Sequence, residues 1–374
     1  MSAENPILYL HALNTLPDIG SRRLRLLLDR FGGDAEAAWH GSLSEWQASG
    51  IGLKIMTKAY AAKTEAKPEQ LWALLEQHAI RPIAETDPDY PQALLEIPDP
   101  PVLLYLRGTV PGWNTLPCIT VIGTRKPTPY GMQVAESLTR ELVRAGVIVV
   151  SGLAFGVDAL AHRHTLDSDG ITIAVLGNGL DSPSIAPHTH LPLAQSIIAK
   201  QGALLSEYPP LVEATPGTFP ARNRIMAGLS QATLIIEAAE KSGSLITTRY
   251  ALEFNRDVWA VPGSIFSPLS AGPNGLIRAG AKTITCVRDI LEELRPTTLF
   301  SAQYSADPRP IKPLPSDLTP DETRILAVLG TDPLHIDKLA KHSTLETTQL
   351  STALTMLEMK GLVKNVGGMN YIKT

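Results

Sequence analysis

The middle of this chain alternates short apolar runs with helical patterns, and this alternation constrains the fold more than any other feature. The runs CITVI, VIVV, ITIAVL, ALLS, ATLIIEAA and DVWAV are rich in branched apolar residues, and amphipathic stretches such as GMQVAESLTRELVRAG and SLITTRYALEFN lie between them. Continuous apolar strands separated by helices are typical of a parallel sheet that helices cover on both faces. Residues 86–296 are therefore predicted to form an α/β domain.

Length and composition indicate a globular chain of two or three domains, with 374 residues of which 44% are apolar. The net charge of −4 provides no overall basic field, so any nucleic-acid binding has to come from a local patch. Cys118 and Cys286 lie far apart in strand-like runs and are predicted to be buried free thiols in a reducing compartment. The sequence shows no signal-peptide pattern and no membrane-length apolar run, which predicts a soluble cytoplasmic protein without a membrane segment.

Residues 1–85 are predicted to be helical. The run LHALNTLPDIGSRRLRLLLDRFGG has apolar residues at helical spacing on both sides of a Pro-Asp-Ile-Gly turn, and ASGIGLKIMTKAYAAK repeats that theme. Two interpretations stay open. The segment PDIGSRR resembles a helix-hairpin-helix, as in SAM-like domains, whose turn can point backbone N–H groups at a phosphate. The other interpretation is a plain helical bundle with a glycine turn.

The C-terminal part is predicted to be a linker followed by a winged helix. Residues 297–316 include the proline-rich run DPRPIKPLP without periodicity, which is typical of a linker. Residues 317–374 show helical patterns followed by a glycine-turned β-wing, with Leu350, Leu354 and Leu357 as core positions. The third helical pattern has few basic residues, which favours a protein–protein role over direct DNA contact.

The residues that follow the apolar runs are the candidate ligand contacts, because ligands collect at the carboxyl ends of parallel strands. Most of these stretches combine small residues with a cation. Small residues allow a ligand to approach main-chain N–H groups, and the cation supplies charge, so the pattern suits an oligoanion lying across the strand ends. The candidate contacts are Gly123, Thr124, Arg125, Lys126, Ser151, Gly152, Phe155, Gly156, Arg222, Asn223, Arg224, Lys241, Ser242, Gly243 and Ser244.

Several of these residues also have a purely structural interpretation. Arg222 and Arg224, placed at a predicted helix start, can clasp two neighbouring phosphates or form salt bridges to the EAAE run or the sheet edge. Asp158 is expected to cap a helix that starts at Ala159.

No set of residues with enzyme chemistry stands out. His162 and His164 are two apart on a predicted helix and cannot share a metal from one face, and no other cluster has zinc spacing. Ser151 and Ser206 lack the G-x-S-x-G elbow of serine hydrolases, and EKSGSLIT is not a P-loop. The cleft is therefore predicted to bind rather than to cut, with no catalytic residue, no metal and no cofactor.

The motifs VIGTRKPTPYG, VSGLAFGVDALAH, LLSEYPP, FPARNRIMAGLS, KSGSLITTRYALEFNRDVWAVPG and NGLIRAGAK together resemble the DprA (Smf) family of DNA-processing proteins. The resemblance covers most of residues 86–296, in order, and the flanking regions fit the same layout. It implies an extended Rossmann-like core with a small helical N-terminal domain and a C-terminal winged helix. By the same resemblance, the phosphate-contacting arginine of the family falls on Arg125 and the basic residue of its Ser-Gly-Ser loop falls on Lys241.

The resemblance further implies a non-catalytic mediator of natural transformation, the DNA uptake of competent bacteria. Such a protein binds single-stranded DNA in the cytoplasm, protects it, helps to load the RecA recombinase for DNA recombination, and forms a homodimer through its Rossmann-like domain. The chain departs from the family pattern at Phe155, where a basic or polar residue is common and where an aromatic ring can either stack on a base or pack in the core. It also departs at SPSIAPHTHLP, where His188 or His190 can take the place of a cation.

Two other functions stay open. The first is a nucleotide-processing enzyme of the phosphoribohydrolase type, which SGSLITTRYALE resembles faintly and for which Glu253 is the candidate acid. The second is a transcription regulator that works through the winged helix.

Overall fold

The structure is a computed structural model. The residues that it describes are 6–294, 318–330 and 333–373. They fall into two compact units, of which the first comprises residues 6–126 and 135–294. The second comprises residues 127–134 and the described residues beyond position 294. The predicted linker, residues 297–316, lies outside the described residues.

Helices occupy most of the first unit before the sheet begins. They are α1 (Pro6–Asn14), α2 (Ser21–Arg30), α3 (Ala35–His40), α4 (Leu43–Gln47), α5 (Leu53–Glu65) and α6 (Pro68–Gln77). Leu24, Leu27 and Leu28 recur at helical spacing and form the buried face of α2. Ser42 and Glu45 form a capping box that fixes the start of α4. The predicted helix, turn and helix around Pro-Asp-Ile-Gly is confirmed.

A sheet of nine strands runs through the described residues between positions 81 and 283. The strands are β1 (Arg81–Ala84), β2 (Leu103–Gly108), β3 (Cys118–Ile122), β4 (Ile148–Ser151), β5 (Thr172–Leu176), β6 (Ala203–Ser206), β7 (Ala232–Ile235), β8 (Asp257–Ala260) and β9 (Lys282–Thr283). Their order in the sheet is β1-β2-β6-β5-β4-β3-β7-β8-β9.

The strands from β3 onward pair in parallel, which confirms the predicted parallel sheet. The first two strands extend one edge, where β1 pairs antiparallel with β2 and β2 pairs antiparallel with β6. The expectation that residues 1–85 are helical is wrong in its last part, because Arg81–Ala84 is a strand of this sheet.

Helices cover the sheet after each parallel strand. They are α7 (Pro129–Arg144), α8 (Val157–Asp167), α9 (Leu191–Ala199), α10 (Thr218–Leu229), α11 (Ser244–Glu253), α12 (Ala271–Arg278) and α13 (Val287–Glu293). Alternate strand residues enter different cores: Leu103 and Tyr105 pack with the N-terminal helices, whereas Leu104 and Leu106 pack in a second cluster. The strands read as continuous apolar runs because both of their faces are buried. None of the helices in the described ranges has the length and apolar character that crossing a bilayer requires.

A buried polar network joins the N-terminal helices to the sheet. The Tyr105 hydroxyl lies 2.9 Å from His11 Nδ1 and accepts a hydrogen bond of 3.1 Å from Asn14 Nδ2. Asn14 also donates to the carbonyl oxygen of Glu207, just after β6, and Ser21 donates to the Glu207 carboxylate. Because these groups are satisfied by partners on the other element, the helices and the sheet form one packed body.

The second unit contains the winged helix. Its elements are α14 (Pro320–Val328), β10 (Leu334–His335), α15 (Ile336–Ser343), α16 (Thr347–Met359), β11 (Val363–Asn365) and β12 (Asn370–Lys373). The strands form a small antiparallel sheet in the order β10-β12-β11. Leu350, Leu354 and Leu357 are buried on one side of α16, which confirms the predicted core positions. No lysine or arginine occurs within α16, so the protein–protein role of this helix stays a prediction.

The prediction for the cysteines holds for one of them. Cys118 lies in the central strand β3 and is buried, and this burial raises the pKa of its thiol to about 12. Cys286 is exposed, which contradicts the predicted burial. The strand β9 ends at Thr283, so Cys286 lies in the turn before α13 rather than inside the sheet.

The buried imidazole of His11 makes the stability of the interface between the helices and the sheet depend on pH. Burial lowers the pKa of the imidazole from 6.5 to about 4, against the opposing effect of the bond to Leu71 O. The unfolded chain therefore binds a proton that the folded chain does not, and the free energy of unfolding decreases as the pH falls from 6.5 towards 4. When the pH is lowered from 7.5 to 5, we expect the free energy of unfolding of the wild type to fall by roughly 2 kcal/mol more than that of His11→Gln. The variant has no imidazole to titrate at this position.

Urea unfolding at several pH values measures this difference. Because His162 is present in both proteins, its own titration cancels in the comparison. Parallel pH profiles for the two proteins would contradict the buried, neutral state of His11.

Candidate nucleic-acid interface

The predicted contacts lie where the carboxyl ends of the parallel strands meet at one edge of the sheet. The strand order reverses at β3, since β4, β5 and β6 follow on one side and β7, β8 and β9 on the other. A crevice at such a reversal is the usual ligand site of an open α/β sheet. Residues 123–126 and 152–156 directly follow β3 and β4, and residues 241–244 lie between β7 and the first turn of α11, so all three segments lie at this edge of the sheet.

Two glycines allow the loops after β3 and β4 to touch. A Cβ on Gly123 would lie 2.6 Å from Val157 Cγ2, and one on Gly156 would lie 2.3 Å from the carbonyl oxygen of Thr124. Gly156 also has a φ of +75°, which a residue with a side chain rarely adopts. The Thr124 N–H donates to the Glu237 carbonyl oxygen at 2.6 Å and so ties the loop after β3 to β7.

Three of the predicted cations are exposed on this edge, namely Arg125, Lys126 and Lys241. Within the part of the chain that the structure describes, none of their side chains has a carboxylate partner. Their charge is therefore not neutralised by the protein, and it is available to a ligand.

The loop before α11 is small and open. The Ser242 and Ser244 hydroxyls lie 2.7 Å apart, and the Ser244 N–H donates to Ser242 Oγ at 3.3 Å. Apart from its chain neighbours Ser242 and Ser244, no described residue has an atom within 4 Å of the position that a Gly243 Cβ would occupy. A phosphodiester backbone can therefore approach this loop closely.

The start of the loop after β4 is buried, in contrast to the prediction that it contacts the ligand. The Ser151 hydroxyl donates to the Val121 carbonyl oxygen at 2.7 Å, so it joins β4 to β3 instead of facing solvent. Gly152 is buried as well, and its N–H donates to Asp158 Oδ2 at 3.2 Å. Of the predicted contacts in this loop, Phe155 and Gly156 are the ones that reach the surface.

The role expected for Asp158 is wrong. The helix α8 starts at Val157, and Gly156 precedes it without a side-chain cap. Asp158 lies within the first turn, and its carboxylate reaches back to the loop at Gly152. Burial raises the pKa of this carboxyl, and the charge of Arg222 and the N–H bonds oppose that rise.

Arg222 is buried and does not face the crevice surface, which corrects the predicted phosphate contact. It is 4% exposed, and its Nη1 donates to the carbonyl oxygen of Gly152 at 2.7 Å and to that of Val175. A Cβ on Gly152 would lie 2.6 to 2.7 Å from atoms of the guanidinium. A side chain at position 152 would therefore displace Arg222 from this place. Burial lowers the pKa of Arg222 to about 10, with Asp158 opposing and Arg125 reinforcing that shift.

The predicted phosphate clasp of Arg222 and Arg224 does not form, since the two side chains are used elsewhere. Arg224 Nη2 lies 2.5 and 2.6 Å from the two carboxylate oxygens of Glu207, and its Nη1 donates to the carbonyl oxygen of Asp99 at 2.7 Å. Asn223 is buried and accepts a bond of 3.2 Å from Arg222 Nε. The alternative interpretation, a salt bridge, applies to Arg224, although its partner is Glu207 of the SEYPP run and not an acid of the EAAE run.

Phe155 is exposed at the tip of the loop after β4, so packing in the core is not its role. Its side chain is 47% exposed. The ring meets His190 edge to face, with the centroids 4.8 Å apart and the planes at 65°. His190 is buried, and its Nδ1 lies 2.8 Å from the carbonyl oxygen of Leu153. His190 is therefore a support beneath Phe155 and not a surface cation, whereas His188 is exposed.

Sequence reasoning missed the residue that shapes the stretch between β5 and α9. Asp181 is buried, and it accepts bonds from the Ser184 N–H and hydroxyl and from the Leu211 N–H at 2.7 Å. The only available signal was its place directly after Gly-Leu, in the loop that follows β5. Within the described residues, no group of three or more His, Cys, Asp or Glu side chains is placed to hold a metal ion.

The acid proposed for a phosphoribohydrolase lies away from the crevice. Glu253 is the last residue of α11, whose first residue is Ser244. The rise of an α-helix puts it roughly 13 Å further along the axis than the Ser-Gly-Ser loop.

Comparisons with known proteins agree with this architecture. Residues 81–295 match the model of the family described as DNA recombination-mediator protein A, and residues 308–369 match that of the DprA winged helix domain. The Protein Smf of Synechocystis is 35% identical over 365 residues, which cover 90% of this chain and 91% of that protein. The DNA processing protein DprA of Bacillus subtilis is 43% identical over 243 residues, covering 63% and 80% of the two chains.

Solved structures show the same fold. DNA processing protein A of Streptococcus pneumoniae aligns with a TM-score of 0.65 and 32% identity, covering 78% of this chain and 99% of that one. The Helicobacter pylori protein, whose structure is described in terms of its single-stranded DNA binding mode, aligns with a TM-score of 0.52 and 32% identity over 57% and 95% of the chains.

The position of Arg222 leads to a stability prediction. Arg222→Met leaves two buried carbonyl groups without this donor and removes the nearby positive charge that favours the ionised form of Asp158, so we expect a loss of about 3–5 kcal/mol in the free energy of unfolding. Arg222→Lys keeps the charge but cannot reach both carbonyls, and its loss is expected to be about 1–3 kcal/mol. Urea unfolding measures both.

Arg125→Met is the matched control, because its guanidinium is exposed and its loss is expected to change stability by no more than about 0.5 kcal/mol. Equal stability of Arg222→Met and Arg125→Met would show that Arg222 does not hold the loop.

Proposed function

The chain belongs to the DprA (Smf) family of DNA-processing proteins, and on this basis we propose that its strand-end crevice binds single-stranded DNA. The observation that carries the proposal is a set of exposed cations that have no acidic partner in the described ranges, Arg125, Lys126 and Lys241, on the edge where β3 and β7 end. The single-stranded DNA binding described for the Helicobacter pylori relative supports it.

Two features of the site act together: cations that bind phosphates, and a small loop that the DNA backbone can approach. Arg125 and Lys241 capture successive phosphates from the two sides of the crevice, with Lys126 adding charge beside them. The open Ser-Gly-Ser loop allows the DNA backbone to lie against the start of α11. Contacts of this kind carry no base specificity, so the protein binds strands of any sequence.

The buried arginine takes a supporting part in this mechanism. Arg222 fixes the carbonyl oxygens of Gly152 and Val175, and it thereby shapes the loop that packs against Arg125. It is a positioning residue and does not touch the DNA.

We place the protein in the cytoplasm of a bacterium, as a mediator of natural transformation. In this role it protects incoming single-stranded DNA and helps to load the RecA recombinase onto it. A protein that binds strands through phosphates alone leaves the base edges available for pairing, which is what a recombinase requires.

The proposed role is non-catalytic. The position of Glu253 at the far end of α11 supports this view over that of a phosphoribohydrolase. If incubation with nucleoside monophosphates released free base, and Glu253→Gln abolished the release, the enzyme hypothesis would replace the non-catalytic one.

The first test is the binding of a labelled oligo-dT strand, measured by fluorescence anisotropy over a salt series. We expect Arg125→Glu and Lys241→Glu each to weaken binding roughly 10- to 100-fold, because each loses a charge-assisted bond to phosphate. Each variant is also expected to reduce the magnitude of the log–log salt slope by about 0.7, since one phosphate contact is lost.

Arg144→Glu is the control. Arg144 is exposed at the end of α7, directly before β4, and therefore lies at the amino edge of the sheet. If the wild type bound no strand, or if all three variants bound equally well, the crevice would not be a DNA site.

We propose further that the protein forms a homodimer through the loop between β8 and α12. Ile265 and Phe266 in this loop are 85% and 90% exposed, and adjacent apolar side chains with this exposure are typical of a surface that a partner covers. A two-fold contact would bring the same loop of both protomers together and bury these side chains against each other. Two crevices in one dimer would lengthen the bound strand and increase its avidity.

Phe266→Glu tests the dimer, because it places a charge in the centre of the proposed contact. We expect the variant to be monomeric by light scattering after size-exclusion chromatography, at concentrations where the wild type is dimeric. Leu53→Glu, at a 66% exposed apolar position on α5, is the matched control and is expected to stay dimeric. A dimeric Phe266→Glu would exclude this loop as the interface.

A further inference from the structure

Phe155 is an exposed aromatic ring in a loop that is otherwise built of small or buried residues. It follows Ala154 and precedes Gly156, and close to half of its side chain, 47%, meets solvent. A single exposed apolar residue is common on protein surfaces, so the significance of Phe155 depends on the residues that lie beneath and beside it.

The ring is supported from below. His190 packs against it edge to face at a centroid distance of 4.8 Å, and His190 is itself buried. Since the Leu153 carbonyl can only accept, the His190 Nδ1 carries the proton and donates to it at 2.8 Å. This bond joins His190 to the same loop that carries Phe155, so His190 is held in place against one side of the ring.

The loop that carries Phe155 lies against the loop that carries the exposed cation Arg125. A Cβ on Gly156, the next residue, would lie 2.7 Å from Arg125 Cα, and the Val157 N–H donates to the Thr124 carbonyl oxygen at 3.1 Å. The two loops are therefore in direct contact, with a free guanidinium on one and an exposed aromatic ring on the other. A nucleotide unit presents the matching pair of groups, a phosphate and a planar base.

We propose that Phe155 is a base-stacking platform, so that one base of the bound strand lies on its ring while Arg125 holds a neighbouring phosphate. This inference rests on the proposed DNA-binding function and adds a base contact to a site otherwise made of phosphate contacts. Every base has a π-face, so the contact tolerates any sequence and favours purines through their larger rings.

The test compares Phe155→Ala, Phe155→Leu and Phe155→Tyr with the wild type on an oligo-dA strand and on the same strand made of abasic residues. We expect Phe155→Ala and Phe155→Leu to weaken binding to oligo-dA by about 5- to 150-fold, as loss of one stacked base does, at every salt concentration. Phe155→Tyr keeps the aromatic face and is expected to bind like the wild type. On the abasic strand all four proteins are expected to bind equally.

The salt slope separates this inference from the function on which it rests. Loss of stacking leaves the slope unchanged, whereas Arg125→Glu reduces it. If Arg125→Glu lost binding but Phe155→Ala bound oligo-dA as tightly as the wild type, the crevice would bind DNA without this platform and the inference would be overturned. If Phe155→Ala weakened binding to the abasic strand equally, the ring would have a structural role or cover another surface, which also overturns it. A wild type that binds no strand overturns both proposals.

Discussion

The buried guanidinium of Arg222 is the interaction on which the geometry of the strand-end loops depends. It reaches from α10 to the carbonyl oxygen of Gly152, directly after β4, and to that of Val175, within the neighbouring strand β5. A buried charge is tolerated only when it is compensated and hydrogen-bonded. Here the two carbonyls and Asn223 Oδ1 accept the N–H groups of Arg222, and the charge of Asp158 favours the cation. The loop after β4 can then turn at Gly156 and pack against the loop that carries Arg125.

This arrangement separates two classes of cation that look alike in a sequence. Arg222 and Arg224 are bound by protein acceptors, so their charge serves the fold. Arg125 and Lys241 have no acidic partner among the described residues, so their charge is available to a ligand. Burial separates the two classes. A desolvated cation is unfavourable unless acceptors of the protein surround it, whereas an exposed cation is solvated by water. The crevice thus gains its positive potential from few side chains, although the whole chain has a net charge of −4.

Sequence patterns predicted the parallel sheet and the exposed cations because both depend on local order. An apolar run that ends at Gly123 identifies a strand and the loop after it, and Arg125 follows at once. The burial of Arg222 could not be predicted, since it depends on how α10 packs under a loop that lies far away in the chain. The strand at Leu103–Gly108 was missed because it pairs antiparallel and has no crossover helix to mark it. The burial of Cys286 was predicted wrongly because β9, the last strand of the nine-stranded sheet, is only two residues long and ends before this position.

The core that the N-terminal helices share with the sheet has an evolutionary consequence. Leu103 and Tyr105 of β2 face those helices, and the polar atoms of His11 and Asn14 meet the Tyr105 hydroxyl. Loss of the helices would leave an apolar sheet face and a buried hydroxyl without partners, so a chain without them needs other residues to cover β2. The winged helix has its own apolar core. Its gain, loss or exchange between lineages therefore requires no substitutions in the core of the sheet.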